Sequence, residues 1–241
     1  VRIVSLVPSL TELVWWLGAG PRLVGRTVYC TEPPEMAAAV PAFGGTKTPD
    51  IEGIATLRPD LVIANREENR REDVEALESR GLRVLVTNIE SIEDATAVIA
   101  DLGALLGAED RAADLVGRIR ECAAARPAAG RPRVFAAVWG KPLMGLGSST
   151  FGHAMLTAAG AANVLEGVPR YPLVTFEALR AAEPELILLP DEPYRFRERH
   201  LPTFAAIAPT RLIDGKLLWW YGPRIPESIR TLRGVIDEAR A

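Results

Sequence analysis

Leu57-Arg58-Pro59-Asp60-Leu61-Val62-Ile63-Ala64 is the stretch that decides the fold. Its last four residues form an unbroken apolar run, which suits a strand covered on both faces of a parallel sheet. A second such run, Leu186-Ile187-Leu188-Leu189, follows Pro184-Glu185 at a constant offset of 125 residues. At that offset Glu52 meets Glu177, Pro59 meets Pro184, Asp60 meets Glu185 and Glu67 meets Glu192. Each copy reads as a helix, a turn with Pro and an acid, a buried strand and an acidic corner. Because the match spans a whole helix–turn–strand unit, it predicts two similar lobes. The competing reading is that Pro followed by an acid is a common helix-to-strand turn.

Working outward, residues 2–6 read as a strand and Pro8-Ser9 as a helix entry. Ser9 and Thr11 are candidate caps, and Glu12 stands in capping-box spacing from Ser9. Leu10, Leu13, Val14 and Leu17 keep helical spacing, and Gly18 stops the run. A strand is expected at 23–27, then a loop over 29–49, then a short helix capped by Asp50. A helix at 69–79, a strand at 83–87 and a helix at 91–106 complete the first half. This alternation argues for a parallel α/β sheet.

Residues 109–125 break the pattern. They predict one long helix of roughly 25 Å, with Ala112, Leu115, Val116, Ile119 and Cys122 on one face. Arg126-Pro127 and Gly130 close it, and strand–helix alternation restarts at 134–138. The expected organisation is an N-terminal α/β lobe at 1–107, a linking helix at 108–127 and a C-terminal α/β lobe at 128–241. One rigid helix between lobes predicts little hinge motion.

Composition narrows the function classes. Hydrophobic residues at 48% and charged residues at 24% describe a packed protein rather than a disordered one. The 28 basic and 31 acidic residues nearly cancel, against a nucleic-acid footprint. No apolar run is long enough to span a bilayer. A strand-like run opens at Val1, so the chain reads as cytoplasmic or as a mature form whose leader has been removed. Two histidines, His153 and His200, exclude a His-rich metal site.

Enzyme signatures are thin, and no catalytic residue is expected. Gly145-Leu146-Gly147-Ser148-Ser149 could cradle a phosphate, or be a tight turn with Ser148 or Ser149 as helix cap. Cys30 has no histidine beside it in sequence and reads as a small buried or loop thiol. Tyr29, Trp139, Tyr171, Trp220 and Tyr221 fall at or beyond strand ends, where parallel α/β sheets bind ligands. Large aromatics there give broad contact to a flat ligand, with core or rim packing as the alternative. Arg224 and Lys47 could bond polar groups on a ligand, or be solvated charges. The acidic corners Glu67-Glu68 and Asp191-Glu192 could pair with arginines of a two-fold symmetric partner. They could equally favour the N-terminus of the helix that follows.

Taken in order, several motifs resemble a known family. They are Arg2-Ile3-Val4-Ser5-Leu6-Val7-Pro8-Ser9, Gly44-Gly45-Thr46-Lys47, and Leu57 to Ala64 continued by Asn65-Arg66-Glu67-Glu68-Asn69-Arg70. Glu192-Pro193-Tyr194-Arg195-Phe196 and Trp220-Tyr221-Gly222-Pro223-Arg224 complete the set. Over essentially its whole length the chain is similar to class III periplasmic solute-binding proteins of ABC importers, the vitamin B12 and iron-siderophore group with a helical backbone. The resemblance implies an exported, periplasmic or cell-envelope protein, a monomer with a ligand cleft between lobes, and delivery to a membrane permease with its ATPase. Within the group the motifs look most like vitamin B12 receptors, implying a corrinoid such as cobalamin or cobinamide as ligand. The corrinoid's metal arrives already chelated, so no protein-ligated metal and no further cofactor is implied. The ligand-binding set is then Tyr29, Lys47, Trp139, Tyr171, Trp220, Tyr221 and Arg224. The docking set is Glu67, Glu68, Glu72 and Glu192, with the family's first-lobe glutamate aligning nearer Arg71-Glu72. An iron-siderophore or haem receptor of the same class is the alternative ligand reading, and an α/β enzyme on a phosphorylated substrate the more distant one.

Overall fold

A computed structural model of the chain describes residues 1–125 and 130–239. The chain forms two compact units. One comprises Val1–Ile89, Glu93–Gly117 and Tyr221–Pro223; the other comprises Glu90–Ile92, Arg118–Trp220 and Arg224–Ala241.

The first unit begins with β1 (Ile3–Ser5), α1 (Pro8–Val14), β2 (Leu23–Arg26), α2 (Pro34–Ala39), α3 (Ile51–Thr56) and β3 (Leu61–Asn65). It continues through α4 (Arg71–Ser79), β4 (Val84–Thr87) and α5 (Ile92–Leu106) into α6 (Glu109–Ala124). Its sheet has the order β2-β1-β3-β4, and every pair is parallel. All five residues of β3 are buried, as a strand with helices on both faces must be. Val4, Leu6, Ile54, Val62 and Leu77 form a core cluster beneath one face.

The second unit carries β5 (Arg133–Gly140), β6 (Leu143–Gly145), α7 (Phe151–Ala158), β7 (Ala162–Asn163), α8 (Phe176–Ala181) and β8 (Leu186–Pro190). It ends with α9 (Leu201–Ala205), β9 (Thr210–Ile213), α10 (Lys216–Trp219) and α11 (Ile225–Glu238). β5, β7, β8 and β9 pair in parallel, while β6 folds back antiparallel on β5. The second sheet therefore has an antiparallel edge that the expectation of parallel sheets omits.

The repeat survives at atomic detail. Asp50 caps α3 through Gly53 N–H, and Thr175 caps α8 through Ala178 N–H. Arg58 and Glu183, 125 apart, take the same left-handed turn, φ 46° and 44°. Arg2 N–H donates to Asp60 Oδ2 at 2.6 Å, and Arg133 N–H donates to Glu185 Oε2 at 2.7 Å. Both arginine side chains then reach main-chain carbonyls of the preceding turn, Leu57 for Arg2 and Ala182 and Glu183 for Arg133. In each unit the acid after proline clips the turn to the start of the central strand.

Several local expectations need correction. Neither Ser9 nor Thr11 caps α1; Val7 is the N-cap and Pro8 opens the helix with its fixed φ. Thr11 instead points inward and donates to Ser5 Oγ or Val7 O, both at 2.8 Å. The stretch expected as loop at 29–49 holds α2, whose first residue is again a proline. Thr150, not Ser148 or Ser149, caps α7, accepting from His153 N–H at 3.2 Å. The N–H groups of Gly145, Gly147 and Ser148 all donate to carbonyls of the segment 168–172. A Cβ on Gly147 would lie 2.1 Å from Val168 O, so that glycine admits protein backbone. With the Gly145, Leu146, Gly147 and Ser148 N–H groups spent on main-chain carbonyls, the turn offers no cradle of free amides to a phosphate. Helix α6 passes through the division between the units at Gly117/Arg118, and the closing residues Arg126 and Pro127 lie outside the described residues.

Candidate ligand-binding site

In the first unit the chain beyond β2 and β3 is built on two asparagines. Asn69 Oδ1 accepts Asn65 N–H at 2.9 Å, and Asn65 Oδ1 accepts Glu67 N–H at 2.9 Å. Asn69 Nδ2 donates to Thr46 O at 2.9 Å, and Lys47 Nζ donates to Glu67 O at 2.5 Å. The Gly44–Lys47 turn and the acidic corner are thus tied together, and Lys47 serves that tie. Glu68 is half-buried, and desolvation pushes its carboxyl above the ordinary glutamate value. Glu72 is exposed at the start of α4 and 3.9 Å from Arg70.

Tyr29 is 61% exposed just beyond β2, with its ring against Gly45. Beside it Cys30 is buried, within hydrogen-bond reach of Thr11 and Thr27. Burial raises its thiol above the ordinary cysteine value, as suits a structural cysteine.

In the second unit Trp139 closes β5 at 40% exposure. Its N–H donates to Lys141 O at 3.2 Å, and Tyr194 meets it edge-on at 5.3 Å between centroids. Tyr194 in turn meets buried Phe196 edge-to-face at 4.8 Å between centroids, which anchors the loop after β8. Tyr171 is half-buried, with the Arg170 guanidinium 5.5 Å from its ring.

Trp220 and Tyr221 are packed rather than exposed. They are only 6% and 4% exposed. Trp220 donates its indole N–H to Glu192 Oε1 at 3.0 Å, while Lys216 Nζ and Arg224 Cζ each lie 5.1 Å from its ring. Tyr221 belongs to the first unit, where Gly222, at φ 105°, passes Leu13 so closely that an added Cβ would lie 3.3 Å from it. Glu192 itself is half-buried. Burial raises its carboxyl, and the Trp220 hydrogen bond partly offsets this. The structure so leaves Tyr29 exposed on the first unit and Trp139 exposed and Tyr171 half-buried on the second, and gathers half-buried Glu192, Lys216 and Arg224 around buried Trp220. That cluster was not predicted; the spacing of four between Lys216, Trp220 and Arg224 was its only trace in the sequence.

Among the described residues no group of three or more His, Cys, Asp or Glu could hold a metal ion. No helix among the described residues is long and apolar enough to cross a membrane. A surface hollow of about 420 Å³ lined by Trp16, Asp110, Arg111 and Asp114 involves none of the expected site residues.

Two α/β units with aromatic side chains beyond parallel strands define a solute-binding architecture, and the chain belongs to the periplasmic binding protein family, whose model matches residues 3–200. The vitamin B12-binding protein of Salmonella choleraesuis is 30% identical over 194 residues, covering 78% of this chain and 71% of that one. A periplasmic haem-binding protein, BhuT, solved with two haems, is 29% identical with a TM-score of 0.84, covering 100% of this chain and 99% of that one. The vitamin B12-binding protein of Vibrio cholerae, at 21% identity and TM-score 0.84 over 99% and 97% of the two chains, shares the fold. The family and these neighbours are binding proteins rather than enzymes.

Proposed function

We propose that this protein captures a corrinoid, cobalamin or cobinamide, outside the cytoplasm and delivers it to the permease and ATPase of an ABC importer. The carrying observation is Trp139, a large aromatic left 40% exposed at the carboxyl end of a central strand. A tryptophan in that position is costly to leave wet and suits the face of a flat macrocycle. Tyr29 offers a comparable surface on the first unit, and the similarity to vitamin B12-binding proteins supports the choice of ligand. In this reading Tyr171 and Arg224 add ligand contacts, and Glu67, Glu68 and Glu72 face the permease. The macrocycle brings its own metal, so the protein needs none, and it works as a monomer.

Haem is the second reading, and Tyr29 favours it. An exposed phenol is a competent axial ligand for haem iron, and the haem-binding neighbour is as similar as the B12-binding ones. Absorbance titration with cyanocobalamin, cobinamide and hemin decides. Corrinoid binding with none for hemin is the expected result. Hemin binding that Tyr29→Phe abolishes would replace it, and failure of all three at about 100 μM would refute both.

A further inference from the structure

Glu192 receives both neighbouring indoles. Its carbonyl accepts Trp219 Nε1–H at 2.8 Å and its carboxylate accepts Trp220 Nε1–H at 3.0 Å. Gly215 is pressed against it, since a Cβ there would lie 2.4 Å from Glu192 Cγ, and Gly215 N–H donates to Asp191 Oδ1 at 2.8 Å. The corner after β8 is therefore riveted to the segment that carries both tryptophans. Trp220, fixed in this way, carries Lys216 and Arg224 over its ring at 5.1 Å each. A cation over an aromatic face is held by the ring quadrupole, most strongly where water is excluded.

We propose that Glu192 is a positioning residue: its carboxylate sets the orientation of Trp220, and the Trp220 ring sets the position of Arg224 for the ligand. This rests on the reading of Arg224 as a ligand contact. A glutamate at the second acidic corner then acts inside the unit, not on a partner. The carboxylate lies among Lys216, Asp214 and Asp191, and its Oε1 accepts the Trp220 indole N–H.

The test compares Glu192→Ala, Glu192→Gln and Arg224→Ala, alone and combined, by titration with cyanocobalamin and hemin. Glu192→Ala should weaken whichever probe binds by about five- to tenfold, the loss of a charge-assisted hydrogen bond. Glu192→Gln keeps an acceptor for the indole and should stay within about twofold. In the Arg224→Ala background Glu192→Ala should cost nothing further, because the effect runs through Arg224. Additive losses, or full affinity in Glu192→Ala with lost stimulation of the importer's ATPase, would overturn the proposal. If neither probe binds the wild type, the ligand reading fails on its own, and the indole N–H resonance of Trp220 decides. Protection from exchange in wild type and Glu192→Gln but not in Glu192→Ala sustains the positioning role; no change overturns it.

Discussion

At the scale of single residues, exposure separates tryptophans that sequence treats alike. Trp139 stands 40% exposed and Trp220 6%. Trp139→Ala should leave folding intact and weaken corrinoid binding by about 1–2.5 kcal/mol, for about 50–100 Å² of shared area at roughly 25 cal/mol per Å². That is about five- to seventyfold in a titration. Trp220→Ala should instead cost about 3–5 kcal/mol of stability, seen as a lowered denaturant midpoint, because it empties a packed volume. Glu68 gives a pH signature. Burial raises its carboxyl in the folded state, so the folded protein binds the proton more tightly than the unfolded chain. Its contribution to stability is full below the ordinary glutamate value of 4.5 and is lost as pH rises through the shifted one. Glu68→Gln should therefore stabilise the protein at pH 7 and change little at pH 4, compared by chemical unfolding at each pH. Equal effects at the two pH values would place the cost elsewhere.

At the scale of elements, the helix ends are stitched by arginines. Arg233 on α11 brings Nη2 within 3.0–3.2 Å of the carbonyls of Cys122, Ala125 and Ala158. Those are the last carbonyls of α6 and α7 or lie just beyond α6, which have no partner inside their own helices. One cation so closes two helix C-termini, where the dipole also favours positive charge. Arg233→Ala should lower stability by about 2 kcal/mol, and Arg233→Lys should recover part of it. Arg230 adds a contact to Cys122 Sγ at 3.2 Å and pairs with Glu227 in the open, where such a pair contributes little. Much of this element scale was legible beforehand. Asp50 as a cap, the buried strands and the 125-residue repeat all follow from local spacing. The hairpin β5–β6 was not, because Lys141-Pro142 gives no turn signal as strong as Asn-Gly.

At the scale of the whole molecule, α6 runs unbroken through the boundary at Gly117/Arg118. A continuous helix bends little, so loading with ligand should leave the radius of gyration nearly constant in small-angle scattering. A clear contraction would show hinged closure instead. The chain also changes unit at Trp220/Tyr221 and at Pro223/Arg224, where three residues join the first unit. Tyr221 is buried at this crossing of the chain.

The sequence by itself determined the class of fold. Apolar runs of strand length, helical spacing and a Pro–acid turn repeated at 125 are local signals, and each is set by neighbours within a few residues. It also determined the family, through motifs in order along most of the chain. Tertiary structure alone decided what the candidate residues do. Burial of Trp220 and Tyr221, the capture of Glu192 by two indoles and of the Gly145, Gly147 and Ser148 N–H groups by residues 168–172 all join positions distant in sequence. Side-chain exposure and hydrogen-bond satisfaction are properties of the packed neighbourhood, and no local pattern encodes which partner reaches a carboxylate first.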